Sequence, residues 1–147
     1  MNATIREACE GDYLAIGSLI EHELGYNDID YTLLFDRLKK IKSEDNHMTY
    51  VAVIDKKIVG FIGLLKYITY ELDNGCLRVL AMAVSQKHQN QGIGSMLLRQ
   101  AEQFAADNNN IFHIMMTSNM KRLNAHIFYE RNGYAKKSYG FFKTLNE

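Results

Sequence analysis

Apolar positions along the chain follow two rhythms, one recurring every three to four residues and one alternating or running unbroken, and the changes between them mark out the elements. "ATIREA" reads as a short opening strand. In "GDYLAIGSLIEHEL" the residues Tyr13, Leu14, Ile16, Leu19, Ile20 and Leu24 recur at helical spacing, and "GYNDID" breaks the pattern. A second helix is predicted from Tyr31 to Lys42, with Leu33, Leu34, Leu38 and Ile41 on one face and Asp36, Arg37, Lys39 and Lys40 covering the other. "MTYVAVIDKKIVGFIGLLKYITY" is rich in β-branched and aromatic residues and is interrupted only by "DKK", which suits the turn of an antiparallel hairpin. "CLRVLAMAV" is almost wholly apolar, as expected of a central strand covered on both faces.

Helical spacing then returns. Ile93, Met96, Leu97, Ala101, Phe104 and Ala105 form one buried stripe, with Arg99, Gln100, Glu102 and Gln103 outside it, and "DNNN" ends the helix. "IFHIMMT" reads as another buried strand, "KRLNAHIFYERNG" as a short helix closed by Gly133, and "YAKKSYGFFKTL" as a final strand pair around Gly140. No repeat, linker or proline offers a place to cut the chain, so residues 1–147 read as one layered α/β domain.

Composition narrows the function classes. With 147 residues, 47% of them hydrophobic, the chain suffices for one filled core. The 17 basic and 17 acidic residues balance, so no overall field recommends nucleic acid or an anionic membrane as a partner. Cys9 and Cys76 match no metal-ligand spacing, and no pair among the five histidines has the HExxH form. The polar start "MNATIREACEGDY" is unlike a secretory signal, and no apolar run approaches the roughly 20 residues that cross a bilayer. A cytoplasmic protein with reduced thiols is expected.

One stretch carries candidate chemistry. In "HQNQGIGSMLLRQ" a glycine-rich turn leads from a buried strand into the first turn of a helix, where unpaired backbone N–H groups point along the positive end of the helix dipole. That geometry binds phosphates. Gly92 and Gly94 matter because a Cβ would hold a phosphate away or forbid the dihedrals. No Lys-Ser/Thr follows the second glycine, and the third glycine of the dinucleotide fingerprint is missing, which disfavours ATP and NAD. A plain connecting turn is the alternative.

Gln89-Asn90-Gln91-Gly92-Ile93-Gly94, after Leu80-Ala81-Met82-Ala83-Val84, resembles the [Arg/Gln]-x-x-Gly-x-[Gly/Ala] signature of the GNAT superfamily of N-acetyltransferases. Ala125-His126-Ile127-Phe128-Tyr129-Glu130-Arg131-Asn132-Gly133-Tyr134 is similar to that family's A-x-x-FYE-x-x-GF/Y helix and following strand. The resemblance runs over nearly the whole chain. It implies a mixed, mostly antiparallel sheet of six to seven strands flanked by about four helices. It also implies acetyl-CoA as co-substrate, with the diphosphate held by the turn amides around Gln89, Asn90, Gln91, Gly92, Ile93, Gly94 and Ser95. The pantetheine arm would lie against Met82, Ala83 and Val84, one of whose backbone amides would polarise the thioester carbonyl. Asn124 and Phe128 complete the implied cofactor contacts. Relatives often have asparagine where this chain has Arg122, so Asn124, Asn119 or Arg122 stands in for that contact.

Acetyl transfer to an amine needs a neutral amine, a polarised carbonyl and a proton for the departing thiolate. Tyr129, which stays protonated at pH 7, is the candidate general acid, as the resemblance implies. Its alternative role is packing. Many relatives carry a glutamate on the strand before the turn, but "LRVLAMAV" has no acidic residue, which leaves Glu71, His113 and Glu21 as substitutes for a base. The resemblance implies an acceptor entering over "EHELGYNDIDY", where Glu21 and Tyr26 would suit a cationic amine; an ordinary solvated loop is the alternative. Ser118, Arg122, Ala125 and His126 resemble a bacterial branch that includes aminoalkylphosphonate- and aminoglycoside-acetylating enzymes. Three functions follow: a small-molecule N-acetyltransferase, a protein or peptide N-acetyltransferase, and a non-catalytic acyl-CoA-binding module. Relatives often pair through strand edges or C-terminal elements, so the resemblance also allows a homodimer.

Overall fold

A computed structural model of the chain describes residues 2–108 and 110–146. The chain divides into a unit Met1–Met116 and a unit Thr117–Glu147. In the first, β1 (Thr4–Glu7) leads to α1 (Tyr13–Glu23) and α2 (Tyr31–Ser43). Then come β2 (His47–Ile54), β3 (Lys57–Tyr67), β4 (Cys76–Val84), α3 (Ile93–Asp107) and β5 (Ile114–Met116). The sheet order follows the chain, β1 to β5. The first four strands pair antiparallel and β5 pairs parallel with β4.

The predicted hairpin is closed by Asp55 and Lys56, both left-handed at φ 48° and 66°. Two such residues give the turn whose twist matches that of the strands. Because side chains alternate across a strand, each face gathers its own core. Val51, Phe61 and Ala83 stand opposite one another on β2, β3 and β4 and pack with Tyr13, Ile16 and Leu19 of α1 and Leu34 and Leu38 of α2. The intervening positions face α3. The rings of Tyr50 and Phe104 lie 6.3 Å apart, and the Leu97 Cδ1 atom is 3.3 Å from where a Cβ on Gly60 would stand. Leu97 and Leu98 are fully buried, and burial of such a side chain contributes about 1.5–3 kcal/mol.

Among the described residues one charged residue, Asp12, is buried, where a short 3₁₀ turn enters α1. Arg6 donates to both its carboxylate oxygens, at 2.7 and 2.9 Å, and the Cys9 backbone N–H donates at 2.9 Å. The guanidinium holds the Asp12 carboxyl below the usual carboxylate range, against the opposing effect of burial. A lowered carboxyl pKa stabilises the fold at neutral pH, and that contribution is lost as pH falls through the folded-state value. Since Arg6 is half-exposed, the pair is partly screened. Asp12→Asn is expected to cost about 1–3 kcal/mol at pH 7 and to flatten the acid limb of the stability curve, as read by urea unfolding across pH.

Several sequence expectations are corrected. Leu33 is 57% exposed, because the buried stripe of α2 passes through Leu34 and Leu38, with Phe35 half-buried beside it. β3 stops at Tyr67, leaving Ile68 and Tyr70 exposed. The strand predicted over "IFHIMMT" shrinks to Ile114–Met116, and Phe112 is exposed. α3 ends at Asp107; Asn109, within the predicted stop, lies outside the described residues.

In the second unit α4 spans Leu123–Arg131. Gly133, at φ 90°, closes it as the sequence suggested: its N–H donates to the Glu130 carbonyl at 3.1 Å and the Tyr134 N–H to the Tyr129 carbonyl at 3.0 Å. This double bond pattern satisfies two helix-end carbonyls. No strand follows among the described residues, so the sheet has five strands rather than six to seven. Alternating apolar residues form a strand only where a neighbour supplies hydrogen bonds and a face to bury. Tyr139, Phe141, Phe142 and Leu145 are instead exposed.

Candidate active site

β4 carries the geometry of the site. It pairs with β5 only from Leu77 to Val79, so Leu80–Val84 run on without a paired strand on that side among the described residues. On the other side β3 pairs with Val79 and then Ala81, so Leu80 is the extra residue of a β-bulge and is 46% exposed. Bulges re-aim side chains and end pairing beside binding sites. This half-free stretch contains Met82, Ala83 and Val84, the residues expected to meet a pantetheine arm.

Beyond Val84 the chain is pinned before it turns. The Ser85 N–H donates to the Val59 carbonyl at 2.8 Å, the Gln86 N–H to Glu23 Oε1 at 3.1 Å, and Gln89 Nε2 to the Val84 carbonyl at 3.0 Å. Asn90 and Gly92 are both left-handed, at φ 61° and 81°. Gly92 is the N-cap of the 15-residue α3 and supplies no side-chain cap. Met96 N–H already bonds the Gly92 carbonyl, which leaves the first-turn N–H groups of Ile93, Gly94 and Ser95 without a helical acceptor. A Cβ at 92 would meet nothing within 4 Å, so the space over the helix end is open. Gln89, Asn90 and Gln91 are exposed around it. The arrangement can hold a dianionic diphosphate on backbone donors at the positive end of a helix. The residues named from the sequence on β4, the turn and α3 form one continuous strand–turn–helix.

Beside Leu80 and Ala81, between the α1–α2 layer and the sheet, lies a cavity of about 340 Å³. Tyr26 lines it, as the sequence suggested for an acceptor contact. Glu21 does not; it accepts a hydrogen bond from the Tyr31 hydroxyl at 3.0 Å. Glu23 of the same acidic segment is taken up by Gln86. Two residues that sequence reasoning passed over, Arg37 and His47, line the cavity. Spacing could have flagged Arg37, which follows Leu34 by three residues and therefore shares its side of the helix. The proposed bases Glu71 and His113 are exposed and line no part of it.

Within the second unit, α4 bears Asn124, Phe128 and Tyr129. Asn124 is exposed, while Phe128 and Tyr129 are half-buried with ring centroids 5.5 Å apart. The Tyr134 ring lies 6.5 Å from that of Tyr129. Burial pushes the Tyr129 phenol above its usual pKa, and Arg122 opposes this. His126 Nε2 is 2.9 Å from the Asn119 carbonyl, so its ring braces the start of the helix. Among the described residues no group of three or more His, Cys, Asp or Glu is placed to hold a metal ion, and no helix is long and apolar enough to cross a membrane.

Residues 45–136 match the Acetyltransferase (GNAT) domain. The chain is 32% identical over 111 residues to N-acetyltransferase 8B of Homo sapiens, a match covering 76% of this chain and 48% of that protein. It thus spans about half the length of this human relative. It is 30% identical over 141 residues to the aminoalkylphosphonate N-acetyltransferase of Salmonella typhimurium, covering 96% of this chain and 90% of the relative. A solved GNAT family acetyltransferase from Staphylococcus aureus superposes with a TM-score of 0.79 at 28% identity, over 99% of this chain and 100% of that one. With the domain match extending from the hairpin through the turn at Gly92 to α4, the chain belongs to the GNAT acetyltransferase family and is an acyltransferase.

Proposed function

We propose that the protein transfers the acetyl group of acetyl-CoA to the primary amine of a small molecule, by direct attack within a ternary complex. The observation that carries this reading is the half-free end of β4, which runs into the uncapped turn at Gly92 on one side and borders the cavity on the other. Acetyl-CoA supplies an activated thioester. The N–H groups of Ile93, Gly94 and Ser95 bind its diphosphate, and the unpaired backbone of Met82–Val84 aligns the arm and offers an N–H to the carbonyl. The backbone of this stretch, rather than the Ala83 side chain buried against α1 and α2, is what the arm meets.

An alkylamine is charged at pH 7, and presenting it neutral costs about 4–5 kcal/mol, which the site offsets by holding the amine against the thioester. Tyr129 donates its phenolic proton to the departing thiolate as the C–S bond breaks and the amine nitrogen bonds the acetyl carbon. The proton released from that nitrogen passes through water and restores the phenol. A phenol raised by burial stays protonated at neutral pH and so is available to donate; because a thiol, with an ordinary pKa near 8.5, is the stronger acid of the two, the transfer is uphill and is completed when the amine's proton returns to the phenolate. Phe128 packs beside the phenol, with ring centroids 5.5 Å apart, and Asn124, earlier on α4, contacts the arm of the donor.

The test is thiol release from acetyl-CoA across a panel of amines. Release with free small primary amines, and none with lysine-containing or α-amino peptides, is the expected result. Turnover of the peptides alone would replace the small-molecule reading with a protein-directed one. Coenzyme binding without thiol release from any amine would mark a binding module.

A further inference from the structure

The cavity beside Leu80 and Ala81 has a lining that selects its occupant. We propose that the acceptor is a primary amine carrying a compact apolar body and an anionic group, the body filling this cavity and the anion meeting Arg37. The proposal deepens the acetyl-transfer reading and rests on it.

The lining is apolar almost throughout, with Leu34, Leu38, Phe61 and Leu80 among its walls. No carboxylate lines it among the described residues. Its basic side chains are Arg37 and His47, and Arg37 makes no salt bridge or hydrogen bond within the protein among the described residues. A polycationic aminosugar would bring several ammonium groups to a site with an arginine and nothing to neutralise them, a repulsion sharpened by the low-dielectric walls. A carboxylate or phosphonate would instead pair with the planar guanidinium through two parallel N–H donors. The volume, about 340 Å³, lies at the small end of ligand pockets, about 300–1,000 Å³, so the body is one ring or a short alkyl chain. Leu80 and Ala81 belong both to the cavity wall and to the half-free stretch of β4, so an amine on such a body is presented to the acetyl donor.

Gly63 supplies a second handle. It lines the cavity, and a Cβ there would meet nothing within 4 Å, so a side chain at 63 starts in open space beside the cavity.

The experiment measures thiol release with phenylalanine, its phosphonate analogue and 4-amino-3-phenylbutanoate against phenethylamine, which has the body without the anion, and kanamycin, a polycation. The anionic amines are expected to be the better substrates. Arg37→Gln is expected to raise KM for them by about 10- to 100-fold and to leave phenethylamine unchanged. The two anionic head groups separate carboxylate from phosphonate preference. Gly63→Leu is expected to abolish turnover of the phenyl-bearing amines while calorimetry shows acetyl-CoA binding retained. Equal use of phenylalanine, 4-amino-3-phenylbutanoate and phenethylamine, preference for kanamycin, or an Arg37→Gln effect shared by all amines would overturn the proposal with acetyl transfer still standing. Absence of thiol release from every amine would overturn acetyl transfer itself, and the acceptor assignment with it.

Discussion

Tyr129→Phe is expected to lower kcat by about 10²- to 10⁴-fold, the contribution usual for a placed general acid, while KM for acetyl-CoA changes little. Phenylalanine keeps the ring that packs on Phe128 and Tyr134, so the melting temperature stays close to that of the parent. The pH profile adds an independent reading. Burial raises the Tyr129 phenol, so the loss of rate caused by its ionisation falls above pH ~10 and disappears in the variant. Single-turnover kinetics with a saturating amine check both expectations. A variant within a few-fold of the parent would make Tyr129 a packing residue.

The second large effect is expected at Gly92. Valine there must adopt φ near 81°, where a β-branched residue is strained, at about 1–2 kcal/mol. Its side chain also projects into the open space over the start of α3, where the diphosphate would sit. Losing one or two charge-assisted contacts at about 1.5–3 kcal/mol each amounts to at least roughly 10- to 100-fold in acetyl-CoA affinity. Gly92→Ala is expected to fall between valine and the parent, since it carries the backbone strain without the branched bulk. Isothermal titration of the parent and both variants gives the ordering. Unchanged affinity in Gly92→Val would move the diphosphate away from this turn.

Elements with strong local signals were legible in the sequence. α1, α2, α3 and the β2–β3 hairpin form where the apolar period and turn residues placed them, because each signal is satisfied by neighbours close in the chain. The end of α4 was legible for the same reason, a glycine where a left-handed residue is required. What depends on distant partners was not. The alternation in "YAKKSYGFFKTL" could not reveal whether a neighbouring edge would accept it, and Leu33 shows that a residue at helical spacing can still turn to solvent. The family resemblance overstated the strand number for this reason.

The site divides along the same line. The turn around Gly92 is a local motif and could be read directly. The acceptor region could not, since acidity in "EHELGYNDIDY" suggested a cation site, whereas the fold uses Glu21 to hold Tyr31 and Glu23 to hold Gln86. Arg37 looked like one charge on a solvated face. Its three-residue spacing from Leu34 hinted at the buried side of α2, and the fold brings the side chain to the cavity there.

The central claim, that backbone N–H groups at the start of α3 grip the diphosphate of the acetyl donor, is tested most directly by comparing two donors that differ in that group. Titration calorimetry with acetyl-CoA and with S-acetylpantetheine, which lacks the nucleotide and diphosphate, should give tight binding for the first and at least roughly 100-fold weaker binding for the second, a gap that narrows in Gly92→Val. Equal affinities for the two donors, or no uptake of acetyl-CoA at millimolar concentration, would contradict it.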